Sequence, residues 1–244
     1  MRLEFARTGI ASVLGGALRI HELDGRLRTT PQVDHPVLDA RWPGGQIVAF
    51  DRDARLVWYD GRGGRADERA LGWGLESAQA RTGVGRFPAV SASLSANAHR
   101  IAVLTQFDLL ILAATGERLW VLGGNQVKGI AYDTFARATA ELSDDGKRCT
   151  LAYDGTWIEL DIATKQPLTR GDTPRPLATI DASGLLVATI HAEAPRIHIA
   201  FRDLRTTIAL DSALPDIVAL AFAPDSRSLA VLASDGRVEV VIVP

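Results

Sequence analysis

The chain has 244 residues and a formal net charge of −2, with 47% hydrophobic and 23% charged residues. This composition is typical of a globular protein and excludes disordered and fibrous chains. A charge so close to zero gives no long-range attraction to nucleic acid or to an anionic membrane, so neither is expected as a partner. The single cysteine cannot form an internal disulfide, and no apolar segment approaches the ~20 residues that span a bilayer. These features predict a soluble, cytoplasmic protein.

Apolar residues occur in short runs bounded by Gly, Pro, Asp and Ser, which is the pattern of β-strands separated by tight turns. In chain order, clear examples are residues 47–50, 101–104, 185–189 and 229–232. Asp-Gly pairs, which suit tight turns, begin at residues 24, 60, 145, 154 and 235. No segment of about ten residues shows the periodicity of an amphipathic helix. The predicted fold class is therefore all-β.

The order strand, turn, strand, turn, strand recurs six times along the chain. The third strand of each unit begins near Leu18, Leu56, Leu109, Trp157, Ile197 and Val238. A period of about 40 to 45 residues with four strands per unit is typical of β-propeller blades. We therefore predict a single β-propeller domain over residues 1–244, with six blades of four antiparallel strands. The approximate blades are residues 1–34, 35–87, 88–126, 127–173, 174–214 and 215–244.

Three segments carry a more specific signature. Residues 221–225 read Ala-Phe-Ala-Pro-Asp and residues 141–146 read Glu-Leu-Ser-Asp-Asp-Gly, each a strand that ends in a turn. Residues 158–164 end a third strand, with Leu160-Asp161 where a Trp-Asp pair commonly stands. In these motifs the chain resembles the WD-repeat family of β-propellers, in degenerate form and over nearly its whole length. The resemblance implies a non-catalytic protein-interaction role.

The last unit differs from the other five in its number of strands. A fourth, outer strand is predicted at residues 27–30, 67–71, 118–121, 168–170 and 207–210, but the printed sequence stops after the third strand of unit six. This gives 23 strands and an incomplete last blade. Its open edge, carrying Val238, Val240 and Ile242, is predicted to accept a partner strand or to self-associate. Alternatively, residues 1–5 cover the edge, or Glu239 and Pro244 blunt it.

A second candidate binding element is an insertion at residues 72–88, one of two that lengthen the repeat; the other is residues 125–137. Aromatic residues on loops are common anchors of interfaces. If one face of the protein binds a partner, the candidates in this loop are Trp73, Arg81, Arg86 and Phe87. The alternative is that the insertion is merely tolerated and that Trp73 belongs to the core.

No catalytic motif is complete in this sequence. Gly83 and Gly85 lack the third glycine of a dinucleotide loop, and His21-Glu22 has no second histidine at zinc-binding spacing. Six positions equivalent to Ala221 would face a central channel, and they hold mixed residue types: Glu4, Arg41, Ser93, Glu141, Thr179 and Ala221. Such a set does not form a ring of carboxylates. We therefore predict no catalytic residues, no metal site and no cofactor.

The predicted function is a non-catalytic β-propeller that serves as a protein-interaction scaffold or as a subunit of a complex. Its protein partner cannot be named from the sequence. The alternative is a metal-dependent hydrolase, similar to lactonases, or a binder of small ligands that uses the central channel.

Overall fold

The computed structural model describes residues 2–71, 89–106, 108–123, 138–153, 156–171, 177–180, 185–191, 194–201 and 204–244. Within these ranges lie 23 β-strands in six antiparallel sheets, five with four strands and the last with three. None of the described residues forms a helix long and apolar enough to cross a membrane. The all-β class, the six units and the incomplete last unit are confirmed.

The strands follow one another within each sheet in chain order. Sheet A contains β1 (Arg2–Ala6), β2 (Gly9–Leu14), β3 (Ala17–His21) and β4 (Leu27–Thr29), and sheet B contains β5 (Val37–Arg41), β6 (Gln46–Asp51), β7 (Arg55–Asp60) and β8 (Arg65–Ala70). Sheet C contains β9 (Ser91–Leu94), β10 (Arg100–Leu104), β11 (Asp108–Ala113) and β12 (Arg118–Gly123), and sheet D contains β13 (Thr139–Leu142), β14 (Arg148–Tyr153), β15 (Thr156–Asp161) and β16 (Gln166–Gly171). Sheet E contains β17 (Leu177–Ile180), β18 (Leu186–His191), β19 (Ala194–Phe201) and β20 (Thr206–Asp211), and sheet F contains β21 (Ile217–Phe222), β22 (Ser228–Ala233) and β23 (Val238–Ile242). The five segments predicted as fourth strands are β4, β8, β12, β16 and β20.

The turns that join first and second strands repeat one hydrogen-bonding scheme. A side-chain oxygen accepts the backbone N–H two residues further on, which is the local bond that makes Asn and Asp favourable in turns. The three instances are Asn97 to His99 at 3.1 Å, Asp145 to Lys147 at 3.0 Å and Asp225 to Arg227 at 3.0 Å. These turns lie at the positions predicted from the sequence repeat.

The chain separates into two compact units. One contains Met1–Val33, Asp60–Gly64 and Arg175–Pro244, and therefore sheets A, E and F; the other contains Asp34–Tyr59 and Arg65–Pro174, and therefore nearly all of sheets B, C and D. In the first unit, one apolar cluster joins sheets E and F and another joins sheets F and A. In the second unit, corresponding clusters join sheets B and C and sheets C and D.

In the second unit, polar side chains on first strands bind the backbone of the next sheet. The carboxylate of Asp39 on β5 accepts the N–H of Leu94 on β9 at 2.6 Å, and Arg41 Nε donates to the carbonyl oxygen of Leu94 at 2.9 Å. Ser93 Oγ in turn accepts the N–H of Leu142 on β13 at 2.9 Å. Asp39, Arg41 and Ser93 are all buried. Because buried backbone groups need partners, these bonds fix the registration of adjacent sheets.

Candidate interaction site

The candidate site is the outer side of β23, the third and last strand of sheet F. β23 pairs with β22 in antiparallel register, with Val240 opposite Ala230 and Val241 opposite Leu229. On its other side, no strand of the described residues pairs with it. β1, which the sequence offered as a cover, is instead the first strand of sheet A and pairs with β2.

The hydrogen bonds at the two ends of the hairpin establish which backbone groups of β23 face outward. The N–H of Val243 donates to the carbonyl oxygen of Arg227 at 2.9 Å, and the N–H of Ala233 donates to the carbonyl oxygen of Arg237 at 3.0 Å. In an antiparallel ladder, hydrogen-bonded pairs alternate with pairs that are not bonded. Glu239 and Val241 therefore bond to β22. The N–H and C=O groups of Val238, Val240 and Ile242 point away from β22, and we call these groups the β23 edge.

The side chains of β23 alternate between two neighbouring sheets. Val241 and Val243 contact the apolar cluster shared with sheet E, and Val238 and Val240 contact the cluster shared with sheet A. Ile242, at the end of the strand, is 69% exposed. Four of the five residues in β23 are apolar, and only the last of them, Ile242, is exposed.

Glu239 is the only charged residue in β23, and its carboxylate is already bound. Its Oε2 accepts the Ser212 hydroxyl at 2.5 Å and the Ala213 N–H at 3.0 Å. Ser212 and Ala213 directly follow β20, so this charge lies on the sheet E side of β23. The alternative in which Glu239 blunts the edge is not supported by this position.

One end of the β23 edge is covered by the turn between β3 and β4. A Cβ placed on Gly25 would lie 2.5 Å from the carbonyl oxygen of Val238, and Gly25 has a φ of +88°. Both the conformation and the close approach require glycine here. Among the described residues, no strand pairs with the backbone groups of Val240 and Ile242, which form the rest of the edge.

A buried histidine holds this turn against the sheet. His21 Nδ1 donates to the carbonyl oxygen of Gly25 at 3.2 Å, and its Nε2 accepts the Ser12 hydroxyl at 3.0 Å. Burial lowers the pKa of His21, so the neutral imidazole makes these bonds. Ser12 and His21 have the residue types of a nucleophile and its base, but at 1% and 2% exposure neither side chain can reach a substrate.

The outer strand β8 shows how a four-stranded sheet protects its edge. All six residues of β8 are exposed, and four of them are charged: Arg65, Asp67, Glu68 and Arg69. Charged side chains on an edge strand hinder pairing with another chain. β23 has no such protection, so its edge is the better template for strand addition.

The other predicted binding residues fall elsewhere. Trp73, Arg81, Arg86 and Phe87 lie in residues 72–88, outside the described residues, as do residues 125–137. Of the predicted set, the structure therefore brings together Val238, Val240 and Ile242. The sequence did not predict the roles of Gly25 and Ser212, because each depends on a contact between sheets that no local pattern records. It did not predict the role of His21 either, although the bonds of His21 to Ser12 and Gly25 lie within sheet A.

Potential catalytic groups among the described residues are either buried or hydrogen-bonded within the fold. Burial raises the pKa of the Cys149 thiol to about 12, so it stays protonated and unreactive at neutral pH. The carboxylate of Asp51 accepts the Asp53 and Arg55 N–H groups at 2.9 Å each. Among the described residues, no group of three or more His, Cys, Asp or Glu is arranged to hold a metal ion.

Comparisons with solved structures show which known folds this chain resembles. The chain is similar to the β-propeller domain of Myceliophteria thermophila Cps50 (Swd1), with a TM-score of 0.55 and 16% identity over 99% of this chain and 82% of that chain. It is similar to a chain of the mitotic checkpoint complex, with a TM-score of 0.55 and 12% identity over 99% of this chain and 86% of that chain. No family model and no curated protein matches the sequence. At these identities the likeness shows the fold alone, which is that of a β-propeller.

Proposed function

We propose that this chain is a non-catalytic interaction subunit that binds a protein partner through the β23 edge. The observation that carries the proposal is an apolar strand with outward backbone groups and no covering strand among the described residues. Unpaired backbone groups at a sheet edge gain hydrogen bonds when another chain adds a strand. One similar chain, in the mitotic checkpoint complex, is by its name a component of a protein complex, which agrees with such a role.

The alternative, a metal-dependent hydrolase or a small-ligand binder, is less well supported. Arg41 and Ser93, two of the residues expected to face a channel, bind the backbone of the next sheet instead. Their polar atoms are therefore used within the fold. We propose a scaffold role on this basis and on the open edge.

The test is native mass spectrometry of the chain purified under gentle conditions from its source. We expect a defined complex heavier than the 26.2 kDa chain. Val240→Lys should lose the partner, because it places a charge beside the β23 edge, where Val240 contacts the apolar cluster shared with sheet A. Ala66→Lys is the matched control, since it adds the same charge to β8, which is already exposed and charged. A bare 26.2 kDa chain in every sample would contradict the proposed function.

A further inference from the structure

We infer that the β23 edge takes an extended segment of the partner, antiparallel to β23, with a bulky apolar side chain opposite Val240. This inference rests on the proposed function and specifies its partner. The five complete sheets of the described residues show what covers a third strand: a fourth, antiparallel strand of three to six residues. In the part of the chain that the structure describes, sheet F has no such strand, so the same geometry defines what would occupy its edge.

Sheet E gives the register of the occupant. Ala221, Ala230 and Val240 lie opposite one another in sheet F, as Thr179, Ala188 and Ile199 do in sheet E. Val240 is therefore equivalent to Ile199, and Ile199 lies opposite Ile208 of β20. The residue that faces Val240 takes the place of Ile208.

That place holds a large apolar residue in sheets C and E, and a threonine, Thr29 or Thr169, in sheets A and D. Ile208 packs on the apolar cluster between sheets E and F. In sheet C, the equivalent third-strand residue Ile111 lies opposite Trp120, which is 9% exposed. A large apolar side chain fills this position in both sheets. On the sheet F edge it would contact Val240 and the cluster shared with sheet A, which contains Leu3 and Ile10.

The structure favours a single extended segment over a second copy of this chain. β23 has about 17 Å of strand, so pairing two such edges buries a strip of about 17 by 10 Å on each copy. This is far below the roughly 600 Å² per partner that stable interfaces need. Residues after β20 contact one face of β23, and the Gly25 turn covers one end of its edge. A lone strand fits between these elements, whereas the β23 of a second copy carries the same flanking elements with it.

The probe is a capped synthetic peptide with the sequence of residues 206–211, Thr-Thr-Ile-Ala-Leu-Asp, labelled for fluorescence anisotropy and titrated into the recombinant chain. In this register, the N–H of the peptide's isoleucine donates to the carbonyl oxygen of Val240. N-methylation at that isoleucine should weaken binding at least about tenfold. N-methylation at the adjacent alanine, whose N–H points away from β23, is the matched control and should leave binding nearly unchanged.

A protein variant tests the same bond from the other side. Val240→Pro removes an outward N–H and should weaken peptide binding at least about tenfold. Absence of binding at about 1 mM peptide, or equal binding by both methylated peptides, would overturn the inference. A dimer of the chain abolished by Val240→Pro would also overturn it. If Val240→Lys releases the partner while the peptide fails to bind, the inference is wrong and the proposed function stands.

Discussion

Replacing Asp39 with alanine should lower the free energy of unfolding by about 3 kcal/mol. The Asp39 carboxylate is 2% exposed and accepts the Leu94 N–H at 2.6 Å. Its removal leaves that N–H buried without its acceptor, beside the buried Arg41. For a chain of this size the loss corresponds to a fall in Tm of about 6–12 °C, measured by circular dichroism or calorimetry.

Two variants test whether this cost comes from the buried bond. Asp39→Asn keeps an oxygen that can accept the Leu94 N–H, so it should recover a substantial part of the lost stability. Asp144→Ala removes the 75% exposed partner of Arg41, which lies 3.2 Å from its guanidinium. An exposed ion pair contributes at most about 1 kcal/mol. Equal Tm losses for Asp39→Ala and Asp144→Ala would show that the buried bond does not stabilise the fold.

Proline substitutions at adjacent positions of β23 should destabilise the protein to different extents. Val241→Pro removes the N–H that bonds to Leu229 in the ladder and leaves a buried carbonyl unsatisfied. We expect a loss of about 2–4 kcal/mol, read as a fall in the midpoint of urea unfolding.

Val240→Pro is the matched substitution, because its N–H points to the β23 edge. Only part of the apolar contact of Val240 with the sheet A cluster is lost, so the expected cost is about 1 kcal/mol. If Val240→Pro unfolds as readily as Val241→Pro, the inferred direction of the backbone groups is wrong.

The sequence predicted the number and order of the strands because each unit repeats its own local chemistry. Asn97, Asp145 and Asp225 form their turns through bonds to residues only two positions away. The three-stranded last sheet followed from the same count. These features depend on neighbours along the chain, so a repeat is enough to find them.

Contacts between sheets were not predictable in this way. Asp39 reaches across 55 residues to Leu94, and Glu239 reaches back to Ser212. Glu239 was interpreted as a charge that could protect the edge, yet it faces sheet E. Alternation places a side chain on one face or the other, but it does not show which neighbouring group will bind it.

The most direct test of the open edge is amide-resolved hydrogen exchange of β23 in the free protein. We expect Val240 and Ile242 to exchange at least about a hundredfold faster than Glu239 and Val241, whose N–H groups bond to β22. Alternate fast and slow amides along one strand would show that its outer side is unpaired and available to a partner. Equal protection of Val240, Val241 and Ile242 would mean that the edge is already covered and would contradict the proposed binding site.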